Sequence, residues 1–388
     1  MTNQSSMAFP AIKPKFIGNF PSGHVNDVHG WTFSRQQILD AAGKHRLLTL
    51  DVDIPGRGNC ALSCSHCFRR TSAFRGEKRM GEGKFFELIL QAKELGLQSA
   101  KFIGPGEPLE ERNLIATLEF FSKNRIIPLI FTKGHILAGR DEETCKRIHG
   151  IGSQDLISLL YNHGISVLLG ATSFVPAIED MIVGTVGYSE KRQEAILRLE
   201  AAGFSAFEPG KPTRLALISA PVTPINIGEM FKIYKWARRR HIYHVITPTM
   251  VAGRAKDNIY RIIPGEKDLF DLYVKINVWN VKQGIISLPE LKTQGVAAYA
   301  GAAPCNQISC GMFVLGTGKV LRCPGDDVSF QGDLSRNTLA QIWQGSENMR
   351  VYSGQYNNGC PPKEGISFPA RFFENVLARV EHVLARTA

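Results

Sequence analysis

Long apolar runs are missing from this 388-residue sequence; "IIPLIF" (126–131) is about the longest. That is far short of the ~20 residues needed to cross a bilayer, so no membrane partner is expected. The opening MTNQSSMAFPAIKPKF lacks the basic start and apolar core of a secretory signal, which predicts a cytoplasmic chain. Low-complexity tracts and sequence-level repeats are lacking as well, which excludes fibrous and solenoid arrays. Cysteine is scarce, at eight residues; in a reducing compartment, thiols that cluster read as metal ligands rather than disulfide bridges. A concentrated basic tract is also missing. Lysine and arginine outnumber aspartate and glutamate by 46 to 35, a net +11. The excess is dispersed apart from Arg238-Arg239-Arg240-His241 and the pair Arg69-Arg70. A solvated helix end accounts for the first run, so nucleic acid is not an expected partner.

What is present is an ordinary globular composition, 44% hydrophobic and 21% charged, able to bury a large core. From Leu47 to Gly284 short β-rich runs alternate with helical stretches in six strand–helix units. "LLTLDVDI" (47–54) reads as a strand stopped by Pro55-Gly56, and "GKFFELILQAKELG" (83–96) as an amphipathic helix ending at glycine. Repeated strand–helix–strand crossovers imply an α/β fold with a parallel sheet. The expected organisation is an N-terminal extension (1–44), a βα body (45–285), a small cysteine-organised module (286–365) and a C-terminal helix (366–388). That helix, "PARFFENVLARVEHVLART", opens at Pro369 and docks on the body.

Seven of the eight cysteines fall into two groups. Cys60, Cys64 and Cys67 form C-x3-C-x2-C in a loop just after the first strand. A structural zinc usually takes four ligands, and His66, directly beside Cys67, is badly placed to be the fourth. Three thiolates suit a cubane iron–sulfur cluster better, because one iron is left to accept a substrate or cofactor. The second group is Cys305, Cys310, Cys323 and Cys360, enough for one cluster with every iron ligated, or for a structural zinc. Cys145 stands alone, either a small buried hydrophobe or a thiol that gives hydrogen to a substrate radical.

C-x3-C-x2-C after the first strand of a βα repeat resembles the signature of the radical S-adenosylmethionine (radical SAM) enzymes. The resemblance implies that the open iron chelates the methionine end of S-adenosylmethionine, whose reductive cleavage gives a hydrogen-abstracting 5′-deoxyadenosyl radical. His66 stands where the family places an aromatic residue near adenine. "FIGPGEP" (102–108) resembles the family's glycine-rich stretch for the methionine ammonium, with Gly104, Gly106 and Glu107 matching and Pro105 replacing a glycine. Thr132 in "FTKGHIL", Ser173 in "ATSF" and Arg254 in "VAGRA" resemble further cofactor contacts, Lys133 replacing the family's asparagine. The resemblance spans 45–285 and implies a partial (β/α)6 barrel with its site at the C-terminal ends of the strands. Beyond it, "CGMFVLGTGKVLRC" resembles the SPASM/twitch extensions, which hold auxiliary clusters.

Two [4Fe-4S] clusters are therefore expected, the auxiliary one as an electron conduit, with an external one-electron donor such as flavodoxin or ferredoxin. The expected substrate is a small molecule, a sugar, aminocyclitol or nucleotide-like compound; Lys133, Arg254 and the net charge would suit an anionic one. Two other readings stand beside it: a maturase of a ribosomally made peptide, and a non-catalytic electron-transfer or nucleic-acid-binding iron–sulfur protein.

Overall fold

The computed structural model describes residues 6–58, 60–69, 77–357 and 359–386; Arg70 lies outside them. Six strands follow one another in sequence and in space: β1 (Thr49–Asp53), β2 (Ser99–Gly104), β3 (Ile127–Thr132), β4 (Ser166–Gly170), β5 (Leu215–Ser219) and β6 (Tyr243–Ile246). All are parallel. Helices such as Glu82–Glu94 and Ile227–Arg238 return the chain between them, and the sheet does not close. In helix Glu82–Glu94 the buried residues are Phe85, Leu88, Ile89 and Ala92, the spacing that packs one helix face on a sheet.

Strand alternation sorts the side chains into two layers. Leu50, Val52, Ala100, Phe102, Val167 and Leu217 join the large core beneath the helices. Leu129, Leu168, Ala216, Ile218, Tyr243 and Val245 face the concave side, where they pack with Trp31 and Tyr299. On β1 and β2 the concave positions are instead Asp51, Asp53 and Lys101, all at least 95% buried. Charged groups are rarely sequestered without a purpose or a partner, so this corner of the sheet is polar by construction.

The C-terminal segment extends the same sheet. Strand β7 (Gly311–Val314) pairs parallel with the free edge of β1, and β8 (Lys319–Leu321) and β9 (Phe330–Asp333) continue antiparallel. The order across the nine-stranded sheet is β6-β5-β4-β3-β2-β1-β7-β8-β9. An unpaired β1 edge would leave buried backbone groups unsatisfied, and β7 covers it. Gly311 permits the approach: a Cβ there would lie 2.5 Å from the Thr49 carbonyl oxygen. The final helix runs Phe372–Ala385, starting after Arg371, whose φ of 59° interrupts the expected run from Pro369. It docks on the body through Phe372, 5.2 Å from the Tyr273 ring.

The N-terminal extension also belongs to the body. Its backbone bonds to Phe174, Arg239 and Gln283, Val28 bridges to Thr213, and Trp31 enters the concave face.

Candidate functional site

The loop that carries Cys60, Cys64 and Cys67 leaves β1 and is anchored by carboxylates. Glu111 accepts from the backbone N–H groups of Arg57 (3.1 Å) and Gly58 (2.5 Å). Gly56, at φ 152°, admits that carboxylate, which a Cβ would meet at 1.9 Å. At the loop's far end Arg69 donates to both oxygens of Asp53, at 2.6 and 2.8 Å, and lies 4.6 Å over the Phe313 ring. Asp53 also accepts from Gly316 N–H at 2.9 Å, so one carboxylate holds the cysteine loop to the turn after β7. From the other side, Arg254 N–H donates to the Cys67 carbonyl and Asn258 Nδ2 to the Ser65 carbonyl, each at 3.1 Å.

These anchors place all three thiols on a cleft of about 850 Å³ at the C-terminal ends of β1–β5. His66, Arg69, Gly106, Glu107, Thr132 and Lys133 share its walls. Glu107 accepts from Thr132 Oγ1, from Leu109 N–H at 3.2 Å and from Lys133 N–H at 2.8 Å. Burial pushes its pKa up, while His135 and those bonds pull it back. Burial, reinforced by the Lys133 charge, holds His66 well below 6.5, so its ring is neutral. Burial pushes the Cys60 thiol up to about 12, helped by Glu107 and Glu110. Cys64 is raised by burial too, with Lys133 opposing. Soft donors that are reluctant to ionise alone are suited to a cationic group that replaces their protons. Among the described residues, no three His, Cys, Asp or Glu side chains converge closely enough to hold a lone metal ion. An iron–sulfur cube spreads its thiolates over separate corners, and three thiols on one cleft wall fit it.

The second cysteine group lines an adjoining cavity of about 690 Å³, whose walls include Trp31, Asp51, Lys101, Tyr299, Cys305, Cys323 and Cys360. Burial, then Cys360, raises the Cys323 thiol, and burial pushes Cys360 up to about 11. Tyr299 Oη donates to Cys305 Sγ at 3.7 Å. Behind them Lys363 is fully buried, its ammonium donating to Thr247 Oγ1 at 2.7 Å and the Pro248 carbonyl at 2.8 Å. It makes no ion pair with a carboxylate among the described residues, and burial lowers its pKa while Cys360, Cys305 and Cys323 raise it. A buried ammonium needs an anion nearby, and the three cysteines supply one once they are thiolates. This donor set therefore fits a thiolate-bound metal group.

Cys310 is not brought to that set. It sits 1% exposed among Phe33, Ile38, Ala41 and Leu48, with its thiol donating to the Asn306 carbonyl at 3.2 Å. The short helix Gln307–Cys310 turns it away from Cys305 into the core. Three cysteines, rather than the expected four, face this cavity.

Of the other expected contacts, His66, Gly106, Glu107 and Thr132 line the first cleft, whereas Gly104, Ser173 and Arg254 are not among its walls. Gly104, at φ 152°, lies under Arg69. Ser173 Oγ donates to Glu229 and accepts from Val175 N–H at 3.0 Å, and its own N–H donates to Glu179 at 2.6 Å, so its polar groups are engaged away from the cleft. Arg254 acts through its backbone on Cys67. Cys145 is fully buried in the helical core. Sequence reasoning missed Asp51, Lys101, Asn306, Trp31 and Lys363; two charges inside the strand "TLDVD" (49–53) and the facing "SAKFIG" (99–104) were the available signal.

No protein-family model and no curated protein matches the sequence. Among solved structures the chain is similar to Streptococcus suis SuiB bound to precursor peptide SuiA, at 15% identity and a TM-score of 0.52, over 81% of this chain and 70% of that one. It is similar also to SuiB alone, at 14% identity and a TM-score of 0.50, over 79% and 69% of the two chains. The fold of this chain, a partial barrel of parallel strands with a three-cysteine loop after the first, is that of the radical SAM enzymes.

Proposed function

We propose that the chain is a radical SAM enzyme acting on a small molecule, with a second iron–sulfur site beside the first. The observation that carries this reading is the convergence of Cys60, Cys64 and Cys67 with Glu107 in one cleft at the mouth of the sheet. In this reading the three thiolates hold a four-iron cluster and Glu107 supplies the carboxylate for the ammonium of S-adenosylmethionine. When bound, cluster and cofactor supply the 5′-deoxyadenosyl radical that takes a hydrogen atom from substrate, given an electron from an external donor such as flavodoxin or ferredoxin. The chain's own residues bind and shield. Arg69 pins the cysteine loop to β1, Lys133 offsets negative charge beside Cys64, and Ile103 and Phe131 border both the cleft and the second cavity. Cys305, Cys323 and Cys360 hold the second cluster, with Lys363 balancing their charge.

A second reading, a maturase of a ribosomal peptide, is supported by the fold likeness to SuiB with its precursor peptide. Anaerobic reconstitution, dithionite reduction and assay for 5′-deoxyadenosine test the shared chemistry. The wild type forms it and Cys64→Ala does not; formation by the variant, or none by the wild type, refutes the proposal. Product from small molecules but not from peptides separates the two readings.

A further inference from the structure

The second cavity holds more than its cysteines require. Two buried acceptors on its wall are short of donors: Asn306 Oδ1 has none, and Asp51 Oδ1 has only the Lys101 ammonium at a loose 3.5 Å, on residues 4% and 3% exposed. We infer that the part of this cavity at Asp51 and Asn306, beside the space the second cluster takes, is the substrate site and that it takes a neutral, hydroxyl-rich ring, a sugar or cyclitol, whose hydroxyls donate to Asp51 and Asn306. The inference deepens, and rests on, the small-molecule reading above.

Each acceptor is fixed by its surroundings. Asn306 Nδ2 donates to the Phe33 carbonyl at 3.1 Å, which orients the amide and leaves Oδ1 unmatched. Asp51 is 3.5 Å from Lys101 Nζ, and that ammonium already donates to Thr49 Oγ1 at 3.1 Å and Gln307 Oε1 at 2.7 Å. An orphaned buried acceptor costs free energy that a ligand donor recovers. Burial lifts Asp51 to about 6, with Lys101 opposing.

Charge selects among the donors. Lys101 is the one cationic side chain among the described residues of this wall; two of its three donors go to Thr49 and Gln307 and the third faces Asp51, so an anionic ligand would have to compete with that carboxylate for it. A ligand ammonium at Asp51 would crowd the Lys101 charge, whereas a hydroxyl meets neither objection. Trp31 and Phe131, with ring centroids 5.7 Å apart, and Tyr299 supply flat apolar faces, which suit the C–H faces of a sugar ring. The position is right as well: Ile103 and Phe131 line both this cavity and the Cys60–Cys64–Cys67 cleft. Substrate here sits beside the radical source, with those two side chains bordering both spaces.

Anaerobic calorimetry on the reconstituted holoenzyme tests this with three probe classes: myo-inositol, glucose and ribose as neutral polyols, streptamine as a cation, and myo-inositol 1-phosphate as an anion. A neutral polyol binds best, and Asp51→Asn and Asn306→Ala each weaken it by about tenfold or more, with iron content and the electron paramagnetic resonance spectrum of the clusters unchanged. Binding led by streptamine or by the phosphate, no binding by any neutral polyol, or wild-type affinity in both variants would overturn the inference. So would an altered cluster spectrum in Asp51→Asn, which would make Asp51 a cluster ligand. Wild-type cleavage of S-adenosylmethionine without any probe is measured alongside. Its failure with binding intact removes the enzyme reading and keeps the site; cleavage without binding does the reverse.

Discussion

Replacing Arg69 by methionine tests how the cysteine loop is held. The guanidinium and its partner Asp53 are only 8% and 3% exposed, and the pair is bidentate at 2.6 and 2.8 Å. Methionine keeps much of the packing on Phe313 but strands the carboxylate, whose one remaining donor among the described residues is Gly316 N–H. Breaking a buried pair from one side costs about 3–5 kcal/mol. At about 2.1 cal/mol/K per residue, a chain of 388 residues has an unfolding entropy of about 0.8 kcal/mol/K. The melting temperature should therefore fall by about 4–6 °C, as followed by calorimetry on the apoprotein. The double variant Arg69→Met/Asp53→Leu removes both charges and should regain most of that loss, because the penalty is the orphaned carboxylate and not the missing attraction. A fall under about 1 °C in the single variant would refute this account, and so would a double variant as unstable as the two singles combined.

Cys310→Ala should leave iron and sulfide content unchanged, while Cys305→Ala, Cys323→Ala and Cys360→Ala should each lose about half of both; iron loss in Cys310→Ala would return that thiol to the ligand set. Lys363→Met should also lose iron selectively from the second site, because three thiolates would then lack their buried counter-charge; full occupancy would show that the lysine is dispensable. His135 Nε2–H donates to Glu110 Oε1 at 2.8 Å. Burial lowers its pKa, but Glu110, Glu107 and Asp141 outweigh this and raise it above 6.5. A raised folded pKa gives stability that is fully present below the unfolded value of 6.5 and lost as pH rises through the folded one. Melting temperature between pH 6 and 9 should thus decline more steeply in the wild type than in His135→Gln; parallel curves would contradict the assignment.

The strands were legible because buried parallel strands read as short apolar runs cut off by turns, as "SAKFIG" and "IIPLIFT" do. The first cysteine loop was legible for another reason, since three of eight cysteines within eight positions demand an explanation. What sequence could not show is direction. One turn of helix decides that Cys305 faces the cavity and Cys310 the core, and that turn is set by packing against Phe33 and Ile38, more than 270 positions away. Ser173 stands at the end of β4 as a cofactor contact would, yet Glu229 and Glu179 claim it. Asp51 and Lys101 looked like ordinary polar breaks in strands, because their partner Gln307 lies 206 residues from Lys101. The placement of β7 was hidden for the same reason: an edge is filled by whichever distant segment fits it.

That placement has a consequence for the spacing of the two cysteine groups. Thr49 to Val52 pair in unbroken register with Gly311 to Val314, so the strand before the first thiols and the strand among the second belong to one hydrogen-bonded fabric. Neighbouring strands stand about 4.8 Å apart, and the interval between the two sites is therefore counted in strand widths rather than set by a hinge. The segments that carry the thiols are rooted on those strands, and the spacing of the roots is fixed by the sheet. The sheet works as a ruler.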